Sequence, residues 1–178
     1  YGSGDFEHVD YQLIQDAGFP DGVVNILTGF GETAGAALTA HPDVDKVAFT
    51  GSTEVGRQIV KAAAGNLKKL TLELGGKSPN VIFADADIEP AIAGAANAIF
   101  YNQGQVCTAG SRLYVESSVF DKVVSGVAAR AAKIRLGPGM AEGSQMGPLV
   151  SDVQLARVRG YVDAGTQHAD AAGRCGGQ

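Results

Sequence analysis

Apolar and polar residues along this chain follow two periods in turn, one of two residues and one near 3.6. The opening stretch, YGSGDFEHVDYQ (1–12), carries neither. From Leu13 onward short apolar runs alternate with helix-like stretches, the signature of an α/β chain. GVVNILTG (22–29) predicts a short β-branched strand ending in glycine. GETAGAALTAHP (31–42) predicts a small-residue helix stopped near His41 by Pro42. KVAFTG (46–51) predicts a second, buried strand. Ser52 then caps a helix on which Val55, Ile59 and Ala62 or Ala63 share one face, and Gly65 ends it.

LKKLTLELGG (67–76) alternates cleanly: Leu70, Leu72 and Leu74 point one way, Thr71 and Glu73 the other. SPNVIFAD (78–85) predicts another strand. A helix from near Asp87 tolerates Pro90 in its first turn and runs to Phe100. RLYVE (112–116) predicts a strand. SSVFDKVVSGVAARAAKI (117–134) predicts an amphipathic helix with Phe120, Val123, Val127 and Ile134 facing inward. GPGMAEGSQMGP (137–148) reads as a loop, and a last helix runs from about Ser151 to Ala164. The chain contains no internal repeat, and composition shifts at Gly75–Gly76, the expected domain seam.

Composition narrows the function classes. The 178 residues are 45% hydrophobic, enough for an ordinary buried core. Glycine, at 25 residues, is about twice as frequent as usual and falls between apolar runs, where tight turns need it. Net charge is −5 with no basic stripe, which argues against a nucleic-acid partner. The longest apolar run, AIAGAANAIF (91–100), is too short for a membrane span. No signal peptide is visible, and Cys107 and Cys175, 68 positions apart (175 − 107), make no secreted staple pattern. The expected compartment is therefore the cytoplasm. No spacing suggests a metal cage.

Three places could carry chemistry. In FTGSTEVG (49–56) a strand ends at Gly51, Ser52 opens a helix, and Gly56 lies in its first turn. Free amides and the positive helix end there suit a phosphate, although a plain strand-to-helix turn reads the same way. TGFGETAG (28–35) is weaker, being neither GxGxxG nor a Walker A sequence. Glu73 projects from the polar face of a strand that ends in two glycines. It is either a general base or a solvated edge residue. Cys107 sits in NQGQVCTAGSR (102–112) among small and polar neighbours, unlike a buried structural cysteine. A thiol reacts as thiolate, which backbone amides at a helix N-terminus would favour. None of His8, His41 and His168 has a catalytic context, and Cys175 reads as structural or exposed.

LELGGKSP (72–79) followed by FYNQGQVCTAGSR (100–112) resembles the paired active-site signatures of the NAD(P)-dependent aldehyde dehydrogenase superfamily. The separation of 34 positions (107 − 73) is the family's usual one. PDVDKVAFTGSTEVG (42–56) resembles its cofactor pyrophosphate segment, and GPGMAEGSQMGPLVS (137–151) its post-catalytic loop. The resemblance covers about Leu13 to Gln178. It implies an α/β fold in which 13–75 end a Rossmann-like cofactor domain, 76–178 begin an α/β catalytic domain, and 1–12 are disordered or foreign. A helix expected before AGFPDG is not evident in those first residues.

By the same resemblance Cys107 is the nucleophile and Glu73 the general base. Gly51, Ser52 and Gly56 border the cofactor, with the Leu74 backbone near its nicotinamide end. The implied reaction oxidises an aldehyde to a carboxylic acid through a cysteine thiohemiacetal and thioester, with NAD, or NADP, as cofactor. The Cys107 backbone N–H serves as one oxyanion donor. An upstream asparagine, ribose-binding residues on both sides and a dimerisation strand of the family have no counterpart in the motifs above. Losing one oxyanion donor costs about 10²–10³ in rate. The chain is thus expected to be an internal fragment of a homodimeric or homotetrameric parent, with little NAD-dependent activity alone. A purified 178-residue chain reducing NAD at ordinary rates would refute that. The motif pairing leans toward phenylacetaldehyde-type and betaine-aldehyde-type members. The rival readings are an acyl-CoA-forming relative, against which Glu73 argues, and a non-catalytic scaffold, against which the intact Glu73 and Cys107 argue.

Overall fold

The computed structural model describes residues 12–168, and the expectations for residues 1–11 and Cys175 lie outside them. These residues fall into two compact units that divide between Leu74 and Gly75.

The first unit is built around one parallel strand pair. A helical turn over residues 12–16 precedes AGFPDG, where the sequence had given no apolar stripe. A π-helical turn, Gly31–Gly35, continues into α1, Ala36–Ala40, which ends at His41 as Pro42 requires. Strand β1, Lys46–Gly51, leads through Ser52 into helix α2, Thr53–Ala63, and back to strand β2, Lys69–Leu74. The two strands pair in parallel with Lys46 opposite Lys69 and Gly51 opposite Leu74, so β1–α2–β2 is a βαβ unit. Leu70, Leu72 and Leu74 are half-buried while Thr71 and Glu73 are exposed, the alternation expected of one covered face.

Three expectations for this unit are corrected. Residues 22–29 form no strand: Pro20, Asp21 and Gly22 make a turn, with Gly22 at φ +82° and the Val23 N–H on the Pro20 carbonyl at 3.2 Å. The apolar run beyond is exposed and has no strand to pair with among the described residues. β1 is a strand but not a buried one, since only Val47 and Phe49 are half-covered. The buried stripe of α2 is Gly56, Ile59 and Ala63, with Val55 39% exposed. The helix meets β2 at Gly56, where a Cβ would stand 2.8 Å from Leu74 Cδ2. That close approach turns the helix so that Val55 faces away.

Lys68, only 7% exposed, closes the unit. Its Nζ donates to the carbonyls of Thr39 and His41, both at 2.7 Å, at the C-terminal end of α1. A cation there satisfies orphan carbonyls and favours the helix dipole. Asn66 Nδ2 donates to the Pro42 carbonyl at 2.7 Å beside it.

The second unit opens with another βαβ arrangement. Strand β3, Pro79–Ile82, pairs in parallel with β4, Arg112–Val115, across helix α3, Ile88–Phe100, which starts after Asp87. Helix α4, Phe120–Ala131, packs on α3, and α5, Asp152–His168, follows the 137–151 loop. Ile82, Ile92, Ala95 and the fully buried Val123 form the core, with Val115 and Val127 against it. Val123 and Val127 turn inward as expected, whereas Phe120 at the first turn of α4 is 49% exposed and Ile134, half-buried, lies beyond the end of that helix. Glu116 staples the end of β4 to the turn after β3. Its carboxylate accepts from the Ala84 N–H and the Ser118 hydroxyl, both at 2.8 Å. The backbone bond first, then the hydroxyl, hold its pKa below the ordinary carboxylate value.

Candidate functional site

The first unit gathers five of the six candidate residues at one edge. Gly51 ends β1 and Leu74 ends β2 directly opposite it, with Glu73 facing Thr50 one step back. Ser52 follows at once as the N-cap of α2, its Oγ accepting from the Val55 N–H at 3.2 Å. The Gly56 N–H goes to the Ser52 carbonyl at 2.9 Å. The Thr53 and Glu54 amides open the helix and have no acceptor among the described residues. The carboxyl end of parallel strands, with a helix N-terminus rising from it, is where open α/β sheets bind phosphorylated ligands. Gly51, Ser52 and Glu73 are all exposed at this edge, so a ligand can reach them. Gly56 instead is buried against Leu74 and sets how closely the helix start approaches β2.

The second unit carries Cys107, a free and exposed cysteine. It lies in the connection from α3 back to β4, in a turn that the Ala109 N–H closes on the Val106 carbonyl at 3.1 Å. The element ahead of it is a 3₁₀ turn, Tyr101–Gly104, and no helix begins at Cys107, so no helix N-terminus favours the thiolate there. No protein acceptor among the described residues takes the Cys107 N–H. That amide is open to a negatively charged oxygen.

The backbone leading to the cysteine is unusual. Asn102, Gln103 and Gly104 have φ of +49°, +58° and +72°, three left-handed residues in succession. Each non-glycine residue held this way costs about 1–3 kcal/mol and persists only where its surroundings over-determine it. Here they do. The Gln105 N–H donates to the Asn102 carbonyl at 2.9 Å, and Asn102 Nδ2 returns a bond to the Gln105 carbonyl at 3.2 Å. Downstream, the Gly110 N–H reaches the Ala98 carbonyl of α3 at 3.0 Å. Arg112 Nε donates to the Lys77 carbonyl at 2.8 Å, and a Cβ on Gly76 would meet the Cys107 carbonyl at 3.4 Å. The cysteine turn is thus held from helix, strand and seam together.

A cavity of about 600 Å³ is lined by Asn97, Phe100, Tyr101, Gln103, Arg130 and Met146 among others, and not by Cys107. Among the described residues no helix is long and apolar enough to cross a membrane.

Comparison with known proteins gives the family of the chain. The model of the aldehyde dehydrogenase family matches residues 9–178. An aldehyde dehydrogenase of Alternaria alternata is 54% identical over 159 residues, 89% of this chain and 32% of that protein. The crystal structure of PnpE in complex with nicotinamide adenine dinucleotide is 48% identical with a TM-score of 0.86, covering 92% of this chain and 34% of that one. Betaine aldehyde dehydrogenase of Staphylococcus aureus in complex with NAD+ is 40% identical with a TM-score of 0.84, covering 89% and 32%. The chain therefore spans about a third of the length of the relatives it matches. With a family model matched from residue 9 through both strand pairs and the cysteine turn, this chain belongs to the aldehyde dehydrogenase family.

Proposed function

We propose that the protein carrying this chain oxidises an aldehyde to a carboxylic acid with NAD, Cys107 acting as nucleophile and Glu73 as general base. The observation that carries the reading is the exposed thiol of Cys107 beside its own unclaimed amide, in a chain of this family.

The edge of the first unit fits a dinucleotide. Gly51, Ser52 and the free amides of Thr53 and Glu54 suit its pyrophosphate, Gly56 fixes the helix start, and the Leu74 backbone borders the nicotinamide end. When bound, the nicotinamide supplies the hydride acceptor. Cys107 Sγ adds to the carbonyl carbon, giving a thiohemiacetal whose oxygen the Cys107 N–H receives. Loss of hydride from that carbon leaves the acyl group on Cys107 as a thioester. Glu73 takes a proton from water, the water oxygen attacks the acyl carbon, and the carbon–sulfur bond breaks to release acid and thiolate.

NAD, rather than NADP, is the cofactor proposed, as in the NAD-complexed relatives. A betaine-type or aromatic aldehyde is the proposed substrate, in a cytoplasmic homodimer or homotetramer, and a reducing compartment keeps the thiol free. The 178 residues alone are expected to turn over poorly, because they span a third of each relative.

Single-turnover kinetics of the intact protein test the reading. Cys107→Ser is expected to lose the aldehyde-dependent burst of reduced cofactor by about 10³-fold or more. Glu73→Gln is expected to keep the burst and slow the release of acid. A Cys107→Ser protein that still turns over at wild-type rate would sink the assignment.

A further inference from the structure

We infer that Gln105 is a positioning residue for Cys107, acting through its side-chain amide; the inference rests on the proposed role of the thiol. Gln105 stands two residues before the cysteine and faces two ways. Its backbone is locked to Asn102 in the reciprocal pair of hydrogen bonds that closes the left-handed turn. Its half-buried side chain reaches out of that turn. Oε1 accepts from the Val150 N–H at 3.3 Å, 45 residues downstream, and Nε2 donates to Gln103 Oε1 at 3.4 Å.

The partner segment is itself held. The Gln145 N–H donates to the Arg135 carbonyl at 2.8 Å, and the Gly137 N–H to the Met146 carbonyl at 3.1 Å. Arg135 Nε donates to the Gly143 carbonyl at 2.7 Å. A Cβ on Gly147 would come within 3.3 Å of Gln103 Nε2, so this segment lies directly on the left-handed turn. Gln105 is the side chain that hydrogen-bonds across to this segment. Each of its bonds is long and individually weak. Their place matters more than their strength: Asn102 and Gln103, two non-glycine residues in succession at positive φ, relax unless an outside contact holds them. Removing the link lets residues 102–105 relax and shifts the backbone that carries the thiol. An oriented attack on a carbonyl is sensitive to such a shift, about 10²-fold for 1 Å. Alkylation by a small, freely diffusing reagent is not.

The test uses the intact protein and two readouts. Gln105→Met keeps the length and shape of the side chain and removes both hydrogen bonds. It is expected to slow the single-turnover burst about tenfold or more. Its iodoacetamide rate at Cys107 is expected to stay within about threefold of wild type, with an unchanged pH profile. Gln105→Glu keeps an oxygen to accept from Val150 and can no longer donate to Gln103. It is expected to recover most of the burst, compared at the pH where its alkylation profile shows the same thiolate fraction.

A Gln105→Met burst within about threefold of wild type overturns the inference. So does a parallel fall in burst, alkylation and melting temperature, or failure of the variant to fold, since either makes the amide merely structural. Equal losses in Met and Glu variants overturn the Val150 link. Cys107→Ser, run alongside, separates this from the reading beneath it. If that variant keeps its turnover the nucleophile assignment fails, whatever Gln105 does.

Discussion

Replacing Gly104 by alanine adds one methyl group to the turn ahead of Cys107, and the geometry attaches two separate costs to it. The residue sits at φ +72°, where an L side chain costs about 1–2 kcal/mol. The new Cβ would also lie 3.0 Å from the Ile99 carbonyl oxygen and 3.5 Å from Ile99 Cδ1. Ile99 belongs to the last turn of α3, so its carbonyl is fixed by the helix and cannot rotate aside as a flexible side chain would. Overpacking against such a neighbour costs about 1–3 kcal/mol. The sum, roughly 2–5 kcal/mol, exceeds what any one hydrogen bond of the turn returns, so the backbone at 102–105 must move. In a domain of this size about 1 kcal/mol shifts the melting temperature by about 2–4 °C, so a fall of several degrees is expected. The single-turnover burst should fall by about 10²-fold as the thiol is displaced. Gly104→Asn separates the two costs. Asparagine tolerates the left-handed region but carries the same Cβ, so it should recover only the conformational part. A Gly104→Ala protein melting within about 1 °C of wild type, with its burst within about threefold, would show that this glycine does not govern the turn.

Three further outcomes follow from other parts of the molecule. Val123→Ala removes two carbons from the most deeply buried side chain and should cost about 2–3 kcal/mol in urea unfolding, compared at fixed m. Ser52→Ala deletes the acceptor for the Val55 N–H; it should cost about 1 kcal/mol of stability and weaken cofactor binding about two- to tenfold in a fluorescence titration. Glu116 has a folded pKa below its ordinary value of 4.5, so the stability it adds is fully present above that value and disappears as pH falls through the folded pKa. The melting-temperature gap between wild type and Glu116→Gln should therefore be constant near neutral pH and shrink below about pH 4.5, and a gap that widens on acidification contradicts the staple.

The elements most legible in the sequence are those whose residues report their own environment. Leu70, Leu72 and Leu74 alternate with polar neighbours because β2 covers one face, and the structure bears out that alternation. Ser52 announces a helix because a hydroxyl accepts an N-terminal amide almost wherever it is placed. Residues 22–29 misled because a β-branched run states a preference for extended backbone without supplying a partner strand, and pairing is what makes a strand. Val55 misled for a related reason. Helical period alone named its face, but Gly56, which has no side chain to score as apolar, decides where α2 touches β2.

The cysteine turn lies further beyond reach of a pattern. NQGQVC stood out through its small and polar residues, yet periodicity has no symbol for three consecutive left-handed residues. Asn102 and Gly104 are residue types that tolerate this conformation; Gln103 is not, and nothing local explains it. Gln103 Oε1 accepts from Gln105, which in turn accepts from the Val150 N–H, and Gln103 Nε2 lies beside Gly147; Val150 and Gly147 are both more than forty positions away. Long-range contacts of this kind leave no local trace, because each partner is compatible with many other settings. Lys68 shows the same limit: a lysine beside another lysine reads as solvated, and only the fold brings the α1 carbonyls to its ammonium group. Local sequence thus singled out Cys107 as a candidate, while the contacts that hold the turn ahead of it come from distant segments. Substitutions at Gln105 should accordingly disturb the chemistry of Cys107 more than its exposure.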